Sequence, residues 1–382
     1  MIMNVKYIFI TGMICLLLFS CTTNDKQLTD SQSILVPDKK PVDSWMNDNL
    51  ELDKIVSIET TDDYVIGNIK RVILYKDKLI ILDRVLPSIF VLNVDDGKIE
   101  THISRKGRGP GESNIIYDVA FDDKLEQILA FNDYGKLLYF DLKGNFLKEE
   151  NVDGLFENIS YNNGNVIFYN ISEGNTCFPY TISLYNLAKK SWKKLGKETE
   201  VDFPHIRGYG RLLVKSKNIW FSPVLSLEMN MMHSDTIKAL YRLDVKNKLT
   251  DELKDKVNSD IRSFLNEIRE RDILFAIQSI RETEKYLVFN TNLSDFMMMD
   301  KKTLELHRAL MMEDKHLGLR LINYFPHDGD DNRIMFIVSS DQWMNRKSDG
   351  YDVPEKLKAE IEKVKLSKDY ESNPILLFYK EK

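Results

Sequence analysis

Six short apolar runs, each closing on a small polar residue, recur along the chain: Leu79 to Asp83, Gln127 to Asn132, Asn165 to Asn170, Asn218 to Ser222, Tyr286 to Asn290 and Arg333 to Ser339. Their ends step by 49, 38, 52, 68 and 49 residues. A β-module repeating every 40–50 residues or so, with four short strands per module, is the sequence mark of propeller blades. One such sheet alone leaves an apolar face in water, whereas sheets stacked around an axis cover one another and keep only short edges. The expected fold is all-β, a six-bladed β-propeller. Its N-terminal strand, Lys54 to Ile58, should complete the last blade beside Pro374 to Tyr379.

Two stretches break the β-pattern. Asp255 to Arg271 places Val257, Ile261, Phe264, Leu265 and Ile268 at helical spacing and accounts for the step of 68. Pro354 to Leu366 does the same with Leu357, Ile361 and Val364, with Pro354 at its start. Both are expected as helical insertions on a rim of the ring, either varying a binding surface or capping blade edges.

The N-terminus gives an address. Lys6 precedes an apolar run from Ile8 to Phe19, too short to span a bilayer comfortably and without a stop-transfer flank, so residues 1–20 are expected as an export signal. Leu18, Phe19, Ser20 and Cys21 resemble a bacterial lipobox, which implies acylation of Cys21 with chains such as palmitate. At about 0.8 kcal/mol per buried CH₂, two or more chains hold a protein on a membrane. Thr22 rather than Asp after the Cys favours, by the same resemblance, the outer membrane, with the leaflet side open. Residues 21–50 are polar, carry Pro37 and Pro41, show no period and are expected as a tether, leaving 51–382 for the propeller.

Composition narrows the partners. With 43% hydrophobic and 29% charged residues the chain is globular, and a formal charge of -6 supplies no basic field for nucleic acid. Of three cysteines, Cys15 leaves with the signal and Cys21 carries lipid, so Cys177 alone remains and no intrachain disulfide forms.

The motifs give no catalytic set. Lys106 to Glu112 spaces Gly107, Gly109 and Gly111 as a phosphate loop would, yet lacks the Gly-Lys-Ser/Thr ending and runs into strand-like sequence. It is expected as a tight crossing between blades, with Arg105, Arg108 and Glu112 as candidate ligand contacts or an internal ion pair. Asp328 to Asn332 has Arg333 where a calcium loop needs Gly and Ser339 where it needs Glu, so it is expected as a turn. The six histidines show no zinc spacing and the methionine runs are adaptable core, so neither metal nor cofactor is expected. Arg207, Tyr209 and Arg211 lie beside two glycines, where they could stack on a sugar or acidic ligand or simply shape a bend.

Three places carry a family resemblance: Gly107 to Glu112, Asp235 to Leu243, and Glu371 to Leu377. By these the chain resembles the bacterial six-bladed β-propeller lipoproteins, related in fold to TolB-like and NHL-like propellers. Lys238 and Ala239 depart from the family's more compact Asp-Thr-Ile-Tyr. The resemblance implies fold and envelope location and supplies no catalytic residues. Two functions follow as expectations: a binding or scaffold lipoprotein in nutrient handling or a membrane complex, meeting an envelope protein, glycan or peptide; or a metal-assisted hydrolase or lyase with its site in the central channel.

Overall fold

The computed structural model describes residues 31–382 apart from 86, 153, 155, 157, 171–179, 199–212, 224, 323, 330, 331, 347–354, 368 and 370. Within them six small antiparallel sheets stand in a ring, a six-bladed β-propeller. The strands, inner to outer, are Ile69–Tyr75, Lys78–Asp83, Ser88–Asn93 and Ile99–Ser104 in blade 1 and Ile116–Asp122, Gln127–Asn132, Lys136–Asp141 and Phe146–Asn151 in blade 2. Blade 3 is Asn158–Asn162, Asn165–Tyr169, Tyr180–Asn186 and Ser191–Glu198; blade 4 is Val214–Lys215, Ile219–Phe221, Glu228–His233 and Thr236–Asp244. Blade 5 is Ile277–Glu282, Tyr286–Thr291, Phe296–Asp300 and Leu306–Asp314. Blade 6 is Tyr324–Phe325, Arg333–Val338, Ile375–Glu381 and, from the other end of the chain, Leu50–Ser57.

That last pairing runs antiparallel from Ile375 against Ser57 to Glu381 against Leu50, so the expected closure is present. All six repeated runs are second strands of their blades. They are continuously apolar because a blade is covered on both faces. In blade 1, Leu79 and Ile81 enter the core shared with blade 6, while Ile80 and Leu82 enter the core shared with blade 2. Each such side chain contributes about 1.5–3 kcal/mol through burial. The polar residue after the run caps the following turn. Asp83 accepts from Val85 N at 2.8 Å, and Asn132 from Tyr134 N at 3.1 Å and Lys136 N at 2.9 Å. In blade 5 this role falls to Thr291, one residue beyond the expected Asn290, whose Oγ1 accepts from Leu293 N at 3.2 Å.

Strand direction alternates, so second-to-third and blade-to-blade connections share one end of the ring, the insertion end, and the remaining hairpins share the other, the hairpin end. The first helical insertion differs from expectation. It is two helices, α2 (Asp251–Ser259) and α3 (Ile261–Glu270), split at Asp260, which leaves helical geometry at φ −151° and caps α3 by accepting from Ser263 N at 3.0 Å. The second contains α4 (Ser340–Met344) and α5 (Glu355–Ser367).

Pairing also reaches back beyond the expected boundary at residue 51. Gln32–Leu35 adds a parallel edge strand to blade 4, Lys40–Asp43 adds one to blade 5, and the short helix α1 (Trp45–Asn49) leads into blade 6. Ile34 is buried in the blade 4–5 core, and Lys39 forms ion pairs with Asp272 at 3.2 Å and Asp295 at 3.6 Å. Edge strands of four residues have too few positions to show a period, which is why this strap reads as tether.

Candidate functional site

The axis is where a ring of this kind gathers residues from every blade, and an arginine occupies it. Arg71, on the inner strand of blade 1, is fully buried. Its Nε donates to Asp118 Oδ1 of blade 2 at 3.0 Å and its Nη2 to Asp118 Oδ2. Nη2 also donates to Ile159 O of blade 3 at 2.8 Å, and Nη1 donates to Leu213 O at the start of blade 4 at 3.0 Å. Asp328, from the inner hairpin of blade 6, lies 3.4 Å from Nη1. One guanidinium thus ties five blades together. Burial opposes its charge, but Asp118 and Asp328 outweigh that and hold its pKa above the usual arginine value. Burial pushes the Asp328 carboxyl up, while Arg71 and the Lys215 amide pull it down.

Blade 5 joins through a second arginine. Arg281 is buried and donates to Arg333 O at 2.9 Å, to Gly329 O at 3.1 Å and to His327 O. The segment 327–329 is thereby drawn across the hairpin end of the axis, where Asp328 N donates to Val72 O and Leu74 N to Asp328 O, both at 2.9 Å. His327 is fully buried beside Phe378, and neither ring nitrogen has a hydrogen-bond partner among the described residues. Burial, with Arg281 and Arg333 nearby, holds its pKa well below the ordinary histidine value.

The residues singled out by sequence fare differently. Asp328, expected in a turn, forms a parallel β-bridge with Ile73 and belongs to the axial lock, while Asp330 and Asp331 of that expected turn lie outside the described residues. Arg105 and Arg108 are exposed and their side chains have no ion-pair or hydrogen-bond partner among the described residues. Glu112 does not pair with them: its Oε2 accepts from Gly109 N at 2.9 Å and stitches the crossing to itself. Gly111, at φ +72°, donates to Glu149 Oε2 of blade 2 at 3.2 Å, and a Cβ there would lie 2.5 Å from the Phe146 ring. The crossing is built for close packing, and the two arginines project from it. Cys21, Cys177, Arg207, Tyr209 and Arg211 lie outside the described residues.

Sequence reasoning missed Arg71, Asp118, Arg281 and His327. A signal existed: a charged residue directly before the apolar run of an inner strand, Arg71 before Val72 to Leu74 and Asp118 before Val119 to Phe121. Among the described residues no group of three His, Cys, Asp or Glu side chains is placed to hold a metal ion. A cavity of about 330 Å³ beside the blade 6 closure is walled by Met46, Leu50, Leu52 and Leu357, with Tyr379 and Asp314 hydrogen-bonded at 2.5 Å in its lining.

Fold and axis together define a six-bladed propeller whose centre is closed by a buried charge network. The chain belongs to the family described as Domain of unknown function (DUF4934), matched over residues 47–380. It is similar in structure to a chain from Bacteroides fragilis NCTC 9343 described only as exported, at a TM-score of 0.70 and 17% identity, covering 92% of this chain and 99% of that one. It is also similar to a member of the duf4221 family from Bacteroides vulgatus ATCC 8482, at a TM-score of 0.53 and 10% identity over 87% of this chain and 98% of that one. No curated protein matches the chain.

Proposed function

We propose that this protein is an exported, envelope-held binding or scaffold propeller, of the sort related in fold to TolB-like and NHL-like rings. The observation that carries the reading is the axis. Arg71 spans it in bonds to four other blades, so recognition falls to the two ends and the rim, where loops vary without disturbing the ring. The described exported neighbour supports an envelope address. No helix of the described residues is long and apolar enough to cross a membrane. In this reading Cys21 is acylated and fixes the chain to the outer membrane. Gln32 then follows eleven residues after the lipid, a reach of about 40 Å at full extension, so the strap keeps the blade 4 edge close to the bilayer.

Mass spectrometry of the N-terminal peptide from membrane-extracted protein tests the anchor, with Cys21→Ala expected to move the protein to the soluble fraction. An unmodified Cys21, or a Cys21→Ala protein still on membranes, counts against it. The channel-enzyme alternative has no residue constellation in its favour among the described residues, where Arg71, Asp118 and Arg281 of the inner strands are engaged in the lock.

A further inference from the structure

At the hairpin end, between blades 3 and 4, lies a cleft of about 410 Å³ with a different chemistry. Amides dominate it: Asn162, Asn163 and Asn165 come from the blade 3 inner hairpin and Asn186 from its outer one. Asn186 Nδ2 donates to Asn165 Oδ1 at 2.9 Å and Asn186 Oδ1 accepts from Lys189 N at 2.8 Å, which fixes these two. The side chains of Asn162, Ser191 and Ser234 have no hydrogen-bond partner among the described residues. Trp192 is half-buried, its ring 4.9 Å from Tyr185 and 5.3 Å from Phe168, and its remaining surface lines the cleft.

The charge here runs against the chain as a whole. Lys189, Lys190, Ser191, Trp192, Lys193 and Lys194 follow in sequence in a protein of formal charge -6. Lys193 pairs with Asp235 across the blade gap at 2.5 Å and Lys190 pairs with Glu150, whereas the Lys189 ammonium has no partner among the described residues. Amides donate and accept together and so match vicinal hydroxyls. An indole face matches the C–H face of a sugar ring, and an unpaired ammonium matches a carboxylate or sulfate.

We propose that this cleft binds an acidic saccharide, with its hydroxyls on the asparagines, a ring against Trp192 and its anionic group on Lys189. The proposal deepens the binding reading above and is independent of the anchor. The full chain in detergent is titrated with hexagalacturonate, a heparin-derived hexasaccharide and maltohexaose, following tryptophan fluorescence and heat. One acidic hexasaccharide, carboxylated or sulfated, is expected to saturate the site and to bind at least about tenfold tighter than maltohexaose. Lys189→Ala should abolish that preference, and Asn162→Ala should weaken the acidic sugar about tenfold, with both melting as the parent does. Trp192→Phe, which keeps a ring in the core, should weaken it as well. Saturation by neither acidic sugar, affinity unchanged in the Lys189→Ala, Asn162→Ala double variant, or tighter binding of single-stranded DNA than of either sugar would overturn the proposal. A negative result here leaves the envelope reading standing, since that is decided by fractionation.

Discussion

Two regions of the molecule concentrate arginines near carboxylates, and they treat them oppositely. At the axis Arg71 is wholly buried and spends its guanidinium on Asp118, Asp328 and two backbone carbonyls. At the crossing between blades 1 and 2, Arg105 and Arg108 stand in solvent while Glu112 turns inward to a glycine amide. The crossing has the more conspicuous sequence, but the axis has the tighter structure. Clustering in sequence therefore marks a backbone solution, and the side chains that hold the ring come singly from distant strands.

The largest effect should follow from opening the ring on which both regions depend. Removing Ile375–Glu381 strips blade 6 of the strand that pairs with Leu50–Ser57, and the truncated chain should show no cooperative thermal transition by circular dichroism. A transition at the parental temperature would mean that closure is not needed.

Next comes the contrast itself. Arg71→Ala leaves Asp118 and Asp328 buried without their partner and should cost about 3–5 kcal/mol in urea unfolding. Arg105→Ala and Arg108→Ala should stay within about 0.5 kcal/mol of the parent. Equal costs at the two places would erase the distinction.

Glycines sharpen it further. Gly111 and Gly164 share a left-handed backbone, at φ +72° and +77°, but a Cβ at Gly111 would strike Phe146 while one at Gly164 meets nothing within 4 Å. Alanine at Gly164 should cost only the backbone strain of about 1–2 kcal/mol. At Gly111 overpacking should add roughly 1–3 kcal/mol to it. A crossing that merely displays its arginines would show no such difference.

The smallest expected effect is titration at the axis. His327 has a folded-state pKa below its unfolded value, so protonation favours the unfolded chain. Its contribution is intact above about pH 6.5 and is lost as pH falls below that, by at most about 1.4 kcal/mol per pH unit. His102, lowered by burial, acts in the same direction, so the comparison is of slopes. His327→Phe should flatten the decline in stability between pH 7.5 and 5.5, and an unchanged slope would show that the buried ring is not the group responsible.

The ring and its seam were legible because burial on both faces writes continuous apolar runs into the second strands, and because capping residues such as Asp83 and Asn132 punctuate them. The helical insertions were legible from period, but not the break at Asp260, which rests on one side chain bonding one amide. The axis was not legible: Arg71 meets Asp118 across 47 positions and Asp328 across 257, and no local spacing encodes such a meeting. The cleft at Asn162 and Trp192 was hidden for the same reason, since Ser234 and Asp235 complete it from the next blade.

In the proposed division of labour the axis holds the ring and the ends meet partners. The most direct test measures stability and acidic-hexasaccharide affinity in the same Arg71→Ala protein, well below its melting temperature. The expected result is a large loss of stability with affinity unchanged; lost affinity at parental stability would place the ligand at the axis and contradict the account.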